Sequence, residues 1–143
     1  MQSAQDLESP LVMVQRLEQA TTAHDLDGLV DCFAVDYVNV TPVHPSRGFN
    51  GRDQVRANWQ QIFAAVPDLT AQLLGCAAVG DTAWSEWEMS GTRRDGSAHL
   101  MRGVILFGVS QGRANWARFY LEIVQHDGES VDSALAAQLG AQR

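Results

Sequence analysis

Apolar side chains recur every three or four residues in three early segments, which is the spacing of a helix with one buried face. The first segment runs from Leu7 to about His24, with Ser9-Pro10 as N-cap and first helical residue. A second, short segment begins at Asp25 and extends to Phe33. The third covers residues 55–66 and ends before a proline. The sequence therefore predicts three N-terminal helices.

After residue 68 apolar and polar residues alternate, which is typical of strands with one buried face. Short turns rich in Gly, Asp and Gln separate four such segments, at about 69–79, 82–92, 99–109 and 114–124. An earlier strand is predicted at 37–41, and a short helix from Asp132 to Leu139. The pattern predicts an α+β fold, with three helices packed on a strongly curved, mainly antiparallel sheet and a short C-terminal helix.

Alternation also decides which side chains share a face of the predicted sheet. One face is apolar, carries Trp87, Met89 and Phe119, and is predicted to lie under the helices. We call the opposite face the outer face, which carries Trp84, Glu86, Glu88, Trp116, Arg118, Tyr120 and Glu122. A monomer would leave its aromatic residues exposed, so we expect a homodimer that buries the outer face.

Composition narrows the classes of protein that this chain can represent. Its 143 residues, 45% hydrophobic and 19% charged, predict a single globular domain over residues 1–143. The net charge of −7 argues against nucleic acid and anionic membranes as partners. Cys32 and Cys76 are too few for a disulfide framework, and no metal-ligand spacing is present. We therefore expect no metal and no cofactor. Because no signal peptide or spanning segment is visible, we also expect a cytoplasmic protein.

Four short motifs, taken in order, resemble the nuclear transport factor 2-like superfamily. They are Ala23–Gly28, Phe49–Asp53, Val66–Leu69 and Ala137–Gly140. The resemblance covers the chain from about Val14 to Gly140 and includes ketosteroid isomerases, limonene epoxide hydrolases and SnoaL-like polyketide cyclases. It implies a cone-shaped fold in which the helices and the concave face of the sheet enclose an apolar pocket.

The resemblance also implies which positions would carry the acids and bases of these families. Leu17 stands where ketosteroid isomerases place an oxyanion-hole Tyr, and Thr41 stands where they place the general base. The Asp-Arg-Asp relay of limonene epoxide hydrolases falls on Trp87, Met89 and Phe119. The pocket Asp of the SnoaL-like cyclases falls at or next to Phe119. The usual acid and base residues are therefore expected to be replaced in this chain.

A strand register shifted by one residue would change this expectation. Glu86, Glu88 and Arg118 would then face the pocket and form a carboxylate–Arg cluster. The same shift would turn Met89 and Phe119 outward, into solvent. The burial of apolar residues therefore favours the unshifted register.

Three functions remain open. The first is binding of a small hydrophobic molecule. The second is a cofactor-free hydrolase, isomerase or cyclase, with Tyr37, Asn39 and the loop residue His44 as candidates to orient water or move a proton. The third is an interaction module whose cavity is filled by Trp87 and Phe119. For the first two, the expected ligand-binding residues are Leu17, Tyr37, Asn39, Trp59, Phe63, Trp87, Met89, Met101, Phe107, Phe119 and Leu121.

Overall fold

The structure, a computed structural model, describes residues 9–140 and shows helices packed against one face of a curved six-stranded sheet. The helices are Pro10–Thr22 (α1), Leu26–Asp31 (α2), Arg52–Ala65 (α3) and Val131–Gln138 (α4). The strands are Phe33–Val40 (β1), Phe49–Asn50 (β2), Thr70–Val79 (β3), Thr82–Thr92 (β4), Ala98–Ser110 (β5) and Arg113–Ile123 (β6). The predicted α+β class is confirmed. Leu7, with which the first predicted helical segment begins, lies outside the described residues.

The helix ends follow from local chemistry. Pro10 occupies the first position of α1, where its missing N–H costs no hydrogen bond. The Asp25 carboxylate accepts a hydrogen bond from the Gly28 N–H at 3.0 Å and caps α2. Phe33 was predicted to lie on this helix, which is wrong. Instead α2 ends at Asp31, and Phe33 begins β1, where its ring packs edge-on against that of Tyr37.

The strands are ordered β2-β1-β6-β5-β4-β3. Every neighbouring pair is antiparallel except β1 and β6, so the sheet is mixed but mainly antiparallel, as predicted. Gly103 in β5, with a φ of 153°, lies so close to the Tyr120 carbonyl of β6 that a Cβ would collide with it. A glycine inside a strand is typical of a sharp bend, which fits the curvature of this sheet.

The strand register matches the unshifted prediction. Trp87 is completely buried, and its indole N–H donates to Ser85 Oγ at 2.8 Å, while Ser85 donates to the carbonyl of Ile105 at 2.6 Å. Glu86, between them on β4, is exposed on the outer face. The alternative with inward-facing glutamates is therefore contradicted. Among residues 9–140, no helix has the length and apolar character needed to cross a membrane.

Candidate functional site

A cavity of about 280 Å³ lies between α3 and the inner face of the sheet. Most of its wall is apolar and consists of Phe33, Phe49, Val55, Trp59, Ile62, Leu69, Met89, Met101, Phe119 and Leu121. The polar lining residues are Tyr37, Asn39, Thr41, Arg47, Asn58 and His99. Known pockets for small ligands occupy about 300–1,000 Å³ and are likewise mainly apolar with a few polar groups. This cavity is therefore the candidate site.

The structure brings most of the predicted ligand-binding residues together around this cavity. These are Tyr37, Asn39, Trp59, Met89, Met101, Phe119 and Leu121. All of them except Trp59, which lies on α3, belong to β1, β4, β5 or β6. These strands are neighbours or near neighbours in the sheet, so alternate residues of each strand point into the same space. Because the space remains open, the prediction that Trp87 and Phe119 fill the cavity is wrong.

Leu17, Phe63, Trp87 and Phe107 were predicted to line the cavity, but none of them does. Leu17, Trp87 and Phe107 are buried in the core, and Phe63 is partly buried against it. Trp87 and Phe107 have no exposed surface. Phe63 turns away from the cavity and stacks on His24, with ring centroids 4.3 Å apart. Alternation predicted the correct face of the strands but not the depth at which each residue lies.

His44, the predicted proton-transfer candidate, does not line the cavity. A turn after β1, closed by the His44 N–H donating to the Thr41 carbonyl at 2.9 Å, directs the side chain away. Its Nε2 lies 2.8 Å from Oε1 of Glu122, whose other oxygen is 3.8 Å from Nη1 of Arg47. These contacts tie the loop to β6, so the role that they support for His44 is structural.

A polar ladder follows the inward face of β1. Tyr37 donates its hydroxyl hydrogen to Asn39 Oδ1 at 2.7 Å, and Asn39 Nδ2 faces Thr41 Oγ1 at 3.5 Å. Burial raises the pKa of Tyr37 far above its usual value of 10.0, so the phenol stays neutral and acts only as a hydrogen-bond donor or acceptor. The second amide hydrogen of Asn39 and the Thr41 hydroxyl remain to hold a water or a ligand oxygen.

His99 is a cavity residue that the sequence reasoning missed. It lies on β5 opposite Gly91, and its imidazole makes no hydrogen bond with residues 9–140. Burial, together with the positive charge of Arg93, lowers the pKa of His99 below its usual 6.5. The imidazole is therefore neutral at pH 7. In the sequence, His99 lies two residues before Met101, and this spacing places both side chains on the same face of the strand. That spacing was the signal by which His99 could have been predicted.

We expect the imidazole of His99 to titrate below pH 6.5. Because its pKa is lowered in the folded state, the unfolded chain binds the proton more readily, and His99 lowers stability as the pH falls through 6.5 toward the folded pKa. An NMR pH titration, with the resonance assigned by its loss in His99→Gln, measures this. A midpoint at or above 6.5 would contradict the placement of His99 in the cavity wall.

Helix α3 contributes residues at positions i, i+3, i+4 and i+7, namely Val55, Asn58, Trp59 and Ile62. The sequence pattern identified only the apolar residues of this helix face, so it did not predict that the polar residue Asn58 lines the cavity. Among residues 9–140, no Asp or Glu lines the cavity. Within the same range, no three His, Cys, Asp or Glu side chains are grouped closely enough to hold a metal ion.

Residues 14–119 match the family model of the SnoaL-like domain. The chain belongs to the SnoaL-like domain family. This result agrees with the superfamily that the four sequence motifs resemble. No curated protein matches this SnoaL-like domain.

Three solved structures share the fold of this SnoaL-like domain. A loop truncation variant of IdmH is 23% identical, with a TM-score of 0.66, over 92% of this chain and 100% of that one. RV0760c from Mycobacterium tuberculosis, in complex with estradiol-17beta-hemisuccinate, is 21% identical, with a TM-score of 0.66, over 85% and 94%. An LEH-like epoxide hydrolase from M. tuberculosis is 15% identical, with a TM-score of 0.66, over 78% and 80%. At these identities the similarity shows the fold alone.

Proposed function

We propose that this SnoaL-like domain binds a small, mostly apolar molecule in the cavity under α3. The observation that carries the proposal is the open cavity itself, whose wall is mainly apolar and, within residues 9–140, includes no carboxylate. Removing apolar ligand surface from water is favourable by roughly 25 cal/mol per Å², whereas a buried multiple charge would lack partners. The steroid ester bound to RV0760c supports a ligand of this class.

Binding without epoxide or ketosteroid chemistry is the form of this function that we favour. Met89 and Phe119 line the cavity and Trp87 lies in the core, which supports the replacement of the relay residues. Tyr37 stays neutral, and the Asn39 amide does not titrate, so neither is a base at neutral pH. We expect negligible hydrolysis of limonene oxide and negligible isomerisation of β,γ-unsaturated ketosteroids, since general acid–base catalysis contributes about 10²–10⁴-fold.

A thermal-shift screen tests the proposed ligand class. Terpenoid, steroid or aromatic compounds should raise the Tm, by roughly 5–10 °C at about 100 times the Kd. Nucleotides and sugar phosphates of matched concentration are the control and should leave the Tm unchanged. Stabilisation by the phosphates alone would contradict the proposal.

A second candidate function, a cofactor-free enzyme acting on a small hydrophobic substrate, is favoured by His99. A neutral imidazole in the wall of an apolar cavity is able to accept a proton from a bound substrate or water, with Asn39 and Thr41 as donors to an oxygen. Hydrolysis of limonene oxide that is lost in His99→Gln but kept in His44→Gln would establish this function. The same activity lost only in His44→Gln would exclude His99 as the base.

We also propose a homodimer formed through the outer face. Trp84 is 51% exposed and Tyr120 41% exposed, while the Arg118 guanidinium lies 4.8 Å from the centroid of the Trp116 ring. Leu106, which pairs with Trp84 and Arg118 on the same face, is only 5% exposed and adds little to this apolar surface. A patch of this kind favours a two-fold, self-complementary contact.

Sedimentation equilibrium tests the homodimer. We expect a dimer at micromolar concentration, and Trp84→Glu should raise its dissociation constant at least tenfold, because a buried unpaired carboxylate is costly. Ala57→Glu, at an exposed position of α3 on the opposite side of the sheet, is the matched control and should leave the dimer intact. A wild-type protein that sediments only as a monomer would contradict the proposal.

A further inference from the structure

Three of the polar residues that line the cavity come from the end of β1 and the loop that follows it. The antiparallel register of β1 and β2 pairs Asn39 with Phe49, and the connecting loop begins with Thr41, directly after β1, and carries Arg47 two residues before Phe49. Gly48 packs against the backbone of β1, since a Cβ there would lie 3.1 Å from the Asn39 carbonyl oxygen. Asn39, Thr41 and Arg47 all line the cavity and therefore form one polar end.

Arg47 and Arg118 are the two arginines of residues 9–140 whose guanidinium groups neither donate a hydrogen bond nor form an ion pair shorter than 3.8 Å there, and Arg118 lies against the Trp116 ring on the outer face. The ion-pair contact of Arg47, with Glu122, is 3.8 Å long. His44 holds the same carboxylate at 2.8 Å, so Glu122 keeps a partner when Arg47 turns elsewhere. The other seven arginines in this range make a hydrogen bond or ion pair of 3.5 Å or less, namely Arg16, Arg52, Arg56, Arg93, Arg94, Arg102 and Arg113.

The three side chains at the polar end all offer donors. Asn39 accepts from Tyr37 through its carbonyl oxygen and donates one amide hydrogen toward Thr41, which leaves the second amide hydrogen for a ligand. Thr41 supplies a hydroxyl, and the planar guanidinium of Arg47 matches both oxygens of a carboxylate. The rest of the wall is apolar except for Tyr37, Asn58 and His99. The site thus joins a cationic donor end to an apolar chamber.

We propose that the ligand of this cavity is an apolar carboxylic acid, whose carboxylate is bound by Arg47 with Thr41 and Asn39 as further donors. This inference rests on the proposed function and adds the chemical class of the ligand. The apolar body of the acid occupies the chamber walled by Trp59, Met89 and Phe119, and the carboxylate stays at the half-exposed end, where its loss of hydration is smallest.

Isothermal titration calorimetry with a matched pair of probes tests the inference on the full chain. The probes are 2-naphthylacetate and its methyl ester, which share the apolar body and differ in charge. The wild type should bind the acid at least tenfold more tightly than the ester, since hydrogen bonds to a charged group are the stronger kind. Arg47→Gln should weaken acid binding about tenfold and change ester binding less than about twofold.

Arg56→Gln is the matched control, because Arg56 lies on α3, pairs with Asp27 at 2.9 Å and does not line the cavity. It should leave the binding of both probes unchanged. Equal affinity of the wild type for acid and ester, or an unchanged acid affinity in Arg47→Gln, would overturn the inference and leave the proposed function standing. Failure of both probes to bind would overturn the proposed function as well.

Discussion

Replacing Trp87 by Ala should lower the free energy of unfolding by about 3–5 kcal/mol, the cost of removing a large aromatic from a core. Trp87 has no exposed surface, and its indole N–H donates to Ser85. The matched control is Trp84→Ala on the outer face of the same strand, where half of the side chain is exposed. Measured on the monomer, at a protein concentration below the dissociation constant of the dimer, that substitution should cost less than about 1 kcal/mol. Urea unfolding followed by circular dichroism gives both values.

The comparison of the two tryptophans decides which face of β4 packs under the helices. A larger cost for Trp84→Ala than for Trp87→Ala would mean a register shifted by one residue. Glu86 and Glu88 would then face the cavity, and a carboxylate relay would be available after all. The buried hydrogen bonds from Trp87 to Ser85 and from Ser85 to Ile105 predict the opposite result.

Filling the cavity should abolish ligand binding without disturbing the fold. Leu121→Trp introduces an indole into the chamber, and we expect the affinity for the naphthyl methyl ester to fall at least tenfold, because the added ring occupies the ligand's space. Tyr120→Trp changes the preceding residue of β6, which faces the other side of the sheet, and should leave the affinity unchanged. Calorimetry on both variants, with the Tm as a check of folding, tests this.

Unchanged binding in Leu121→Trp, with a loss in Tyr120→Trp, would place the ligand on the outer face instead. That outcome would contradict the proposed site while leaving the fold intact.

The sequence predicted the elements and their faces because both follow from local periodicity. Helical spacing identified α1 and α3, and strict alternation placed Met89 and Phe119 on the inner face. Such patterns repeat along a strand and carry no information on depth, so buried Trp87 and cavity-lining Met89 look alike in the sequence.

The polar residues of the site were harder to predict because loop geometry and long-range packing position them. His44 was expected at the rim, but a turn after β1 and the carboxylate of Glu122 hold it elsewhere. Arg47 lies just before β2, and the pairing of β2 with β1 brings this part of the chain to the cavity. Because β2 has only two residues, it shows no recognisable alternation in the sequence. His99 was visible through its spacing from Met101, yet a lone histidine near a strand end gives no indication of burial.

The central claim, that an apolar molecule binds in the cavity under α3, is tested most directly by NMR of the methionine methyl groups. Met89 and Met101 line the cavity, whereas Met13 is completely buried in the core beside it and serves as the internal control. On titration with the naphthyl methyl ester, the resonances of Met89 and Met101 should shift and saturate together, while that of Met13 stays in place. Saturable binding that leaves Met89 and Met101 unshifted would contradict the account.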